Sequence, residues 1–275
     1  MSKGKYILVD GSFVPTDDYR INLTESESYH FTEKIRAIRT AFPFFSETLK
    51  MVRLKLDIFS QAFPEFTERD GAGLKRQLER TLTKNKHFMG ACLSLTLRFV
   101  NQEVHYAIQS EKLGNTEFNL NERGLYIEIL SDIQKPASVL SHLSVGSEIY
   151  WEIARKRVIN SAADQLLIFN SDHQLVETPN SNVYLIKGES VRSPGIRHGA
   201  YIDITRTLML KVFEKLNLEF SDSRGISVQD MKEADEILIV NSIDGIRWIA
   251  GFENKRYFNH IIRKISELFN QMAIS

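Results

Sequence analysis

The chain has 275 residues, and its 35 lysine and arginine residues equal its 35 aspartate and glutamate residues in number. This balance gives no basic excess that would indicate nucleic-acid binding, and no acidic tail that would indicate disorder. No apolar run approaches the length of a membrane span, and the single cysteine, Cys92, excludes an internal disulfide framework. We therefore predict a globular cytoplasmic protein that binds neither nucleic acid nor membrane, and no metal-ligand set is predicted.

The N-terminal half alternates strand and helix signals. Asp10-Gly11 separates two apolar runs and predicts a hairpin. Apolar residues at helical spacing predict a helix from Phe45 to Phe63, and a second helix near Leu74–Leu82. Two strands with alternating polar and apolar residues complete this half, over Phe88–Val100 and Val104–Gln109, with a turn at Asn101-Gln102-Glu103.

A polar segment from Glu111 to Glu122 follows these strands and predicts a linker. It divides the chain into an N-terminal α/β domain, residues 1–115, and a C-terminal domain, residues 120–275. The second domain begins with a strand, Leu125–Ile129, and a helix from about Glu148 to Val158.

The central stretch of the chain, residues 163–188, joins strands around a buried-looking carboxylate. An apolar run, Leu166–Phe169, leads through a turn to Glu177, and a second apolar run, Val183–Ile186, follows five residues that contain no apolar side chain except Pro179. Burying an unpaired charge is unfavourable, so a buried Glu177 needs a partner. An exposed or ion-paired glutamate beside a loop is the alternative interpretation.

This stretch resembles the class IV aminotransferases, the pyridoxal-phosphate (PLP) enzymes of fold type IV that include branched-chain and D-amino-acid aminotransferases and aminodeoxychorismate lyase. The resemblance rests on Asp164-Gln165-Leu166-Leu167-Ile168 and on Val176-Glu177-Thr178-Pro179-Asn180-Ser181-Asn182-Val183, although the glycine that follows the family's glutamate is absent. It implies an α/β (α+β) fold with two domains, an N-terminal α/β sandwich and a C-terminal β-barrel-like domain with helices, with the pocket between them.

The resemblance also implies a set of cofactor contacts. Glu177 would bind the ring nitrogen of PLP, and Arg53 would reach its phosphate. Backbone N–H groups at a helix start and in a later loop would hold the phosphate as well, and these belong to Ile204, Thr205, Ile243 and Asp244. Asp203 replaces a family glycine beside them, and its carboxylate would repel a phosphate unless it caps the helix.

The family's Schiff-base lysine falls on Ser144 when the chain is counted back without gaps from Glu177, and the family asparagine falls on Ser147. A gapped alternative places the lysine position on Ser141, which is also serine. A serine hydroxyl forms no imine and is a poor base at neutral pH. Replacement by Lys135 or Lys156 would require either to reach the same place, and we predict both to be solvated.

Two classes of function remain open at this point. In the first, the chain is a PLP-dependent aminotransferase or lyase relative that acts on amino acid or amino-chorismate substrates, and the lyase-like turn at Asn241–Ile249 favours amine or chorismate-derived substrates. Alternatively, it is a non-catalytic pseudoenzyme that binds a phosphorylated small ligand or a protein partner, or a structural homodimer with a vacant pocket. The resemblance implies a homodimer in each case.

Overall fold

The structure is a computed structural model that describes residues 2–20, 29–62, 64, 67–100 and 103–274. These residues form two compact units, one up to Glu117 and one from Phe118 to Ala273. The change of unit lies within the predicted linker segment 111–122, and the predicted domain bounds, 1–115 and 120–275, stay a prediction. The predicted turn at 101–102 and the predicted helical residue Phe63 lie outside the described residues.

The first unit contains six strands and two helices within the described residues. The strands are β1 (Ser2–Lys3), β2 (Tyr6–Val9), β3 (Ser12–Pro15), β4 (Tyr29–Ile38), β5 (Gly90–Val100) and β6 (Glu103–Leu113). The helices are α1 (Phe45–Ile58) and α2 (Ala72–Asn85). The two predicted helices are confirmed, although α1 ends at Ile58, and β6 continues into the segment predicted as a linker.

The six strands form an antiparallel sheet in the order β3-β2-β6-β5-β4, with β1 also paired to β6. The predicted hairpin is confirmed, because Asp10 and Gly11 join β2 to β3 with φ angles of 44° and 84°. Such left-handed angles match the twist of a two-residue hairpin, and glycine adopts them without strain. Helix α2 buries Leu74, Leu78 and Leu82, one face at helical spacing.

Within the described residues, the second unit contains nine strands and four α-helices. The strands are β7 (Leu125–Ile129), β8 (Gln165–Phe169), β9 (Leu175–Glu177), β10 (Asn182–Lys187), β11 (Ser190–Arg192), β12 (Glu219–Ser221), β13 (Glu236–Asn241), β14 (Gly245–Phe252) and β15 (Lys255–Arg256). The helices are α3 (Glu148–Val158), α4 (Arg206–Lys215), α5 (Val228–Glu233) and α6 (His260–Ile274).

These nine strands form one curled sheet in the order β12-β11-β10-β13-β14-β7-β8-β9, with β15 beside β14. Strand β7 pairs in parallel with both β14 and β8. Both faces of β8 are covered: Leu167 and Phe169 pack into one apolar cluster, and Leu166 and Ile168 pack into another with α3. A strand buried on both faces reads as a continuous apolar run, and this is why residues 166–169 do not alternate.

Candidate functional site

The site is organised around Glu177 at the end of β9. This residue pairs across the strands with Ile168, whose side chain lies in the apolar cluster that covers the α3 side of the sheet. Trp151 of α3 and Ala200 belong to the same cluster. The pairing therefore directs the Glu177 carboxylate into an apolar interior, and its side chain has an exposed fraction of 0%. Of the alternative interpretation, an exposed or ion-paired glutamate, the exposure is wrong and the ion pair is confirmed, because Lys135 pairs with Glu177.

Three donors from the chain itself satisfy the Glu177 carboxylate. The Lys135 Nζ lies 2.8 Å from Oε2, and the backbone N–H of Tyr201 donates to the same oxygen at 2.6 Å. The indole Nε1–H of Trp151 donates to Oε1 at 2.7 Å. The partner that a buried carboxylate requires is thus a lysine, supported by two neutral donors.

The prediction that Lys135 is solvated is wrong. Its side chain is fully buried, and Nζ donates to the Ser141 carbonyl at 2.9 Å and to the Ser147 Oγ at 2.6 Å, in addition to Glu177. These contacts use all three donors of the ammonium group. Lys156, by contrast, is solvated as predicted, because its side chain is 73% exposed and pairs with Glu152 on the surface of α3.

The backbone explains why Lys135 reaches Glu177. The Lys135 N–H donates to the Phe169 carbonyl at the end of β8, and this bond aligns residue 135 with the strand beside β9. Pro136 follows and favours an extended conformation at Lys135. The Lys135 side chain thereby enters the same buried face as Glu177.

Burial shifts the pKa values of both members of this ion pair toward the neutral forms. Removal from water raises the pKa of Glu177 and lowers the pKa of Lys135. The attraction between the two groups and their mutual hydrogen bond oppose both shifts. Each group therefore depends on the other to remain charged in this environment.

Ser144 lies just before α3, at the start of a short 3-10 turn from Ser144 to Gly146, and it is largely buried. The turn is tight, because a Cβ atom on Gly146 would lie only 2.2 Å from the Leu140 carbonyl oxygen. The turn brings Ser147 to Lys135, while Ser141 binds the same amine through its carbonyl and binds Pro136 through its hydroxyl. Two of the serines noted in the sequence, Ser141 and Ser147, thus bind the buried amine.

Asp203 stands at the start of α4 and is buried. Its Oδ1 accepts hydrogen bonds from the Thr205 N–H at 2.9 Å and from the Thr205 hydroxyl at 2.6 Å, and its Oδ2 accepts one from the Tyr201 hydroxyl at 3.2 Å. Burial raises the pKa of Asp203 to about 6, although these hydrogen bonds oppose the shift. The predicted phosphate donor Thr205 thus donates to a carboxylate of its own helix start, while Ile204 between them is half-buried.

In the loop between β13 and β14, the backbone N–H groups predicted to bind phosphate also donate to a side chain of the chain itself. The backbone N–H groups of Ile243 and Asp244 both donate to the Asn241 side-chain oxygen, at 2.9 Å and 2.7 Å. The Asn241 amide nitrogen in turn donates to Ser181 at 3.0 Å. The two predicted phosphate donors of this loop therefore bind a neighbouring side chain of their own turn.

Tyr201 and Asn182 connect these groups into one buried polar network. Tyr201 binds Glu177 through its N–H and Asp203 through its hydroxyl, and its carbonyl accepts from the Asn182 amide at 2.6 Å. The Asn182 oxygen accepts from the Asp203 N–H at 3.0 Å. The structure thus brings Glu177 and Thr205, which are distant in sequence, into one connected set.

Arg53 belongs to α1 in the first unit and is half-buried. Its Nε donates to the Thr67 carbonyl at 3.0 Å, and its Nη2 donates to the carbonyls of Thr67 and Arg69. These contacts hold the chain that follows α1. The phosphate-binding role of Arg53 stays a prediction, as do the cofactor roles of Glu177, Ile204, Thr205, Ile243 and Asp244.

Sequence reasoning missed Lys135, Trp151 and Tyr201 as partners of Glu177. The useful signal was Glu177 itself, since a buried carboxylate calls for a cation and for hydrogen-bond donors. No periodicity in residues 130–147 identifies Lys135 as that cation, because the segment between β7 and α3 contains turns rather than a long regular element.

Comparison with protein families matches residues 67–252 to the family described as amino-transferase class IV. Comparison with curated proteins finds no match. In addition, no helix within the described residues combines the length and apolar character needed to cross a membrane.

Several solved structures share the fold. A branched-chain amino acid aminotransferase from Escherichia coli has a TM-score of 0.83 at 14% identity, over 96% of this chain and 93% of that chain. One from Thermobaculum terrenum, in its PLP form, has a TM-score of 0.81 at 14% identity, over 99% and 95%. A putative 4-amino-4-deoxychorismate lyase from Legionella pneumophila has a TM-score of 0.78 at 18% identity, over 88% and 91%. At such low identities the likeness shows the fold alone, and it confirms the predicted fold type IV architecture.

Proposed function

Because the chain belongs to the class IV aminotransferase family, we propose that it keeps the family's fold but does not use PLP as a catalytic cofactor. On this proposal the protein is a non-catalytic member of the family. Its own side chains occupy the positions from which the cofactor would be bound.

The observation that carries this proposal is the contact between Lys135 and Glu177. The family resemblance implies that Glu177 binds the ring nitrogen of PLP, but the Lys135 amine lies 2.8 Å from this carboxylate and both side chains are fully buried. Both carboxylate oxygens already accept hydrogen bonds inside the chain, so a ring nitrogen would have to compete with Lys135, Trp151 and Tyr201 for Glu177. The residues present therefore do not fit PLP in the way that the resemblance implies.

The predicted phosphate contacts support the same proposal. The N–H of Thr205 donates to Asp203, and those of Ile243 and Asp244 donate to Asn241. A phosphate would compete with these acceptors. It would also meet the charge of Asp203, whose carboxylate is ionised above its pKa of about 6. Ser144, at the family's lysine position in the ungapped register, offers no amine.

A second candidate is a PLP-dependent aminotransferase or lyase in which Lys135 replaces the missing lysine. The observation that favours it is the lowered pKa of Lys135, since desolvation makes an amine more nucleophilic by increasing its neutral fraction. The same burial weighs against it, because the three acceptors around Nζ hold the amine as a structural cation.

The test is to add PLP to the native protein, reduce with borohydride and map phosphopyridoxyl adducts by peptide mass spectrometry. We expect only low, scattered labelling of exposed lysines such as Lys156, and no transfer of an amino group from amino acids to 2-oxo acids. Stoichiometric labelling of Lys135 that Lys135→Met abolishes and Lys156→Met preserves would overturn the proposal in favour of the second candidate.

Three further features are part of the proposal. The protein forms a homodimer, as its family resemblance implies, and sedimentation would detect a monomer if this is wrong. Its natural ligand is a phosphorylated or amino acid-like small molecule, or else a protein partner. The single buried cysteine, Cys92, supports a reducing location such as the cytoplasm.

A further inference from the structure

The segment from Lys135 to Ser147 is folded around one amine. The Ser141 carbonyl, the Ser147 hydroxyl and the Glu177 carboxylate all lie within 2.9 Å of Lys135 Nζ. No other charged side chain is hydrogen-bonded to Glu177 among the described residues. The surroundings of Nζ thus form a binding site for a protonated nitrogen, and its occupant is part of the chain.

We propose that Lys135 is the residue that closes this site to PLP, and that shortening its side chain opens at Glu177 a site selective for a protonated nitrogen base. The proposal rests on the non-catalytic function proposed above. It also revises the importance of Ser144, since an amine at residue 144 alone leaves Glu177 occupied.

The opened site should select a cation, because the negative charge of Glu177 would remain in it. Truncation of Lys135 to alanine removes three methylene carbons and the ammonium group, and leaves the Glu177 carboxylate buried beside two neutral donors. A buried carboxylate without a counter-charge is strongly destabilised. A ligand with a positively charged nitrogen stabilises the folded variant by restoring the counter-charge of Glu177, whereas a neutral ligand of equal size only fills the cavity.

The first test uses n-propylamine, which has the atoms that alanine lacks, and n-propanol as its neutral match. The propylammonium ion should raise the unfolding midpoint of Lys135→Ala, and its apparent affinity should exceed that of propanol at least about tenfold, or about 1.4 kcal/mol. The native protein and Lys156→Ala should show no such preference. The double variant Lys135→Ala/Glu177→Gln should lose it, because its cavity carries no charge.

If Lys135→Ala does not fold, the same comparison is made on the yield of folded protein after refolding with each additive. Rescue by propylammonium but not by propanol supports the proposal. Equal rescue by both, or rescue by neither while Lys135→Ala/Glu177→Gln folds, overturns it.

The second test introduces Ser144→Lys alone, with Lys135→Ala and with Lys135→Met. A lysine amine and the PLP aldehyde lose water to form a C=N bond, which borohydride reduces to a stable secondary amine. We expect the adduct at residue 144 only when Lys135 is alanine, at a level at least about tenfold above Ser144→Lys alone. Methionine keeps the bulk of lysine without its charge, so Lys135→Met/Ser144→Lys should remain unlabelled.

Full labelling of residue 144 in the single variant would overturn the inference while leaving the proposed function intact. Labelling of the native protein at Lys135 would instead overturn the proposed function. Failure of Lys135→Ala/Ser144→Lys to capture PLP, in a folded protein that still binds propylammonium, would overturn the role of Lys135 in excluding PLP.

Discussion

Glu177 and Asp203 are two buried carboxylates in one hydrogen-bonded network, and they are stabilised in different ways. Glu177 faces the ammonium group of Lys135 as well as two N–H donors. Asp203 is held by hydroxyl and backbone donors, from Thr205, Tyr201 and Ser242, and no ion pair joins it to a lysine or arginine among the described residues. Glu177 is therefore a buried carboxylate with a counter-charge, whereas Asp203 is a buried carboxylate that is stabilised by neutral donors.

The difference determines whether each carboxylate can meet a ligand and whether its charge changes with pH. The Lys135 ammonium group lies 2.8 Å from Glu177, and in the proposed function it keeps ligands from this carboxylate. Asp203 has no such cation, and burial raises its pKa to about 6, so that it changes its charge near neutral pH. In the proposed function the first carboxylate has a structural role only, whereas the raised pKa of the second makes its charge sensitive to pH.

The largest expected effect comes from removing the paired cation. Lys135→Met leaves Glu177 buried without a counter-charge and should lower the free energy of unfolding by about 3–5 kcal/mol at neutral pH. The loss should be smaller in acid, because Glu177 can then fold in its protonated form. Urea unfolding at several pH values measures both. Lys156→Met is the matched control, and its effect should stay within about 0.5 kcal/mol, since that lysine lies on the surface. A similar small loss in both variants would mean that the buried pair contributes no more than the surface pair.

The next effect is the pH dependence due to Asp203. Its pKa rises from 3.8 to about 6 on folding, so the folded state binds the proton more tightly. Its contribution to stability is therefore highest below about pH 4, falls as pH rises toward about 6, and levels off above that, with a total change of about 3 kcal/mol. Asp203→Asn should remove this slope from unfolding free energies measured between about pH 4 and 8. Identical slopes in the two proteins would show that Asp203 does not titrate in this range.

The smallest expected effect comes from one neutral donor to Glu177. Trp151→Phe keeps an aromatic ring but removes the indole donor at 2.7 Å, and should lower the free energy of unfolding by about 1.5 kcal/mol. The other of the two tryptophans, Trp248, donates at 2.8 Å to the neutral carbonyl of Asn121. Trp248→Phe should therefore cost less, about 0.5–1 kcal/mol. A larger loss at Trp248 would mean that the charge of Glu177 adds nothing to the indole hydrogen bond.

Much of the fold could be predicted from local patterns. Helical spacing located α1 and α2, and the Asp10-Gly11 pair located the first hairpin, because these signals depend on residues close in sequence. The paired strands of the second unit were harder to order. Strand β7 pairs with β14 and β8, and this choice depends on packing across the whole unit.

The sequence predicted that Glu177 needs a partner, but it did not predict which residue that partner is. The apolar surroundings of residue 177 predicted a carboxylate in need of a partner, and Glu177 is indeed buried with one. The identity of the partner was not predictable, because Lys135 lies in a turn-rich segment and enters the site through a backbone hydrogen bond to Phe169. A lysine before a proline looks the same in sequence whether its side chain is exposed or buried.

The parallel pairing of β7 with β14 also governs how the second unit is made. Leu125 lies opposite Ile249, so β7, near the beginning of the second unit, can pair on this edge only after β14, near the end of that unit, has been made. During synthesis, β7 and β13 leave the ribosome with unpaired edges, and contacts this distant in sequence form slowly. A chain that stops before Gly245 would keep those edges exposed and would be prone to aggregation. The sheet that contains Glu177 is therefore completed only after Gly245–Phe252 has been made.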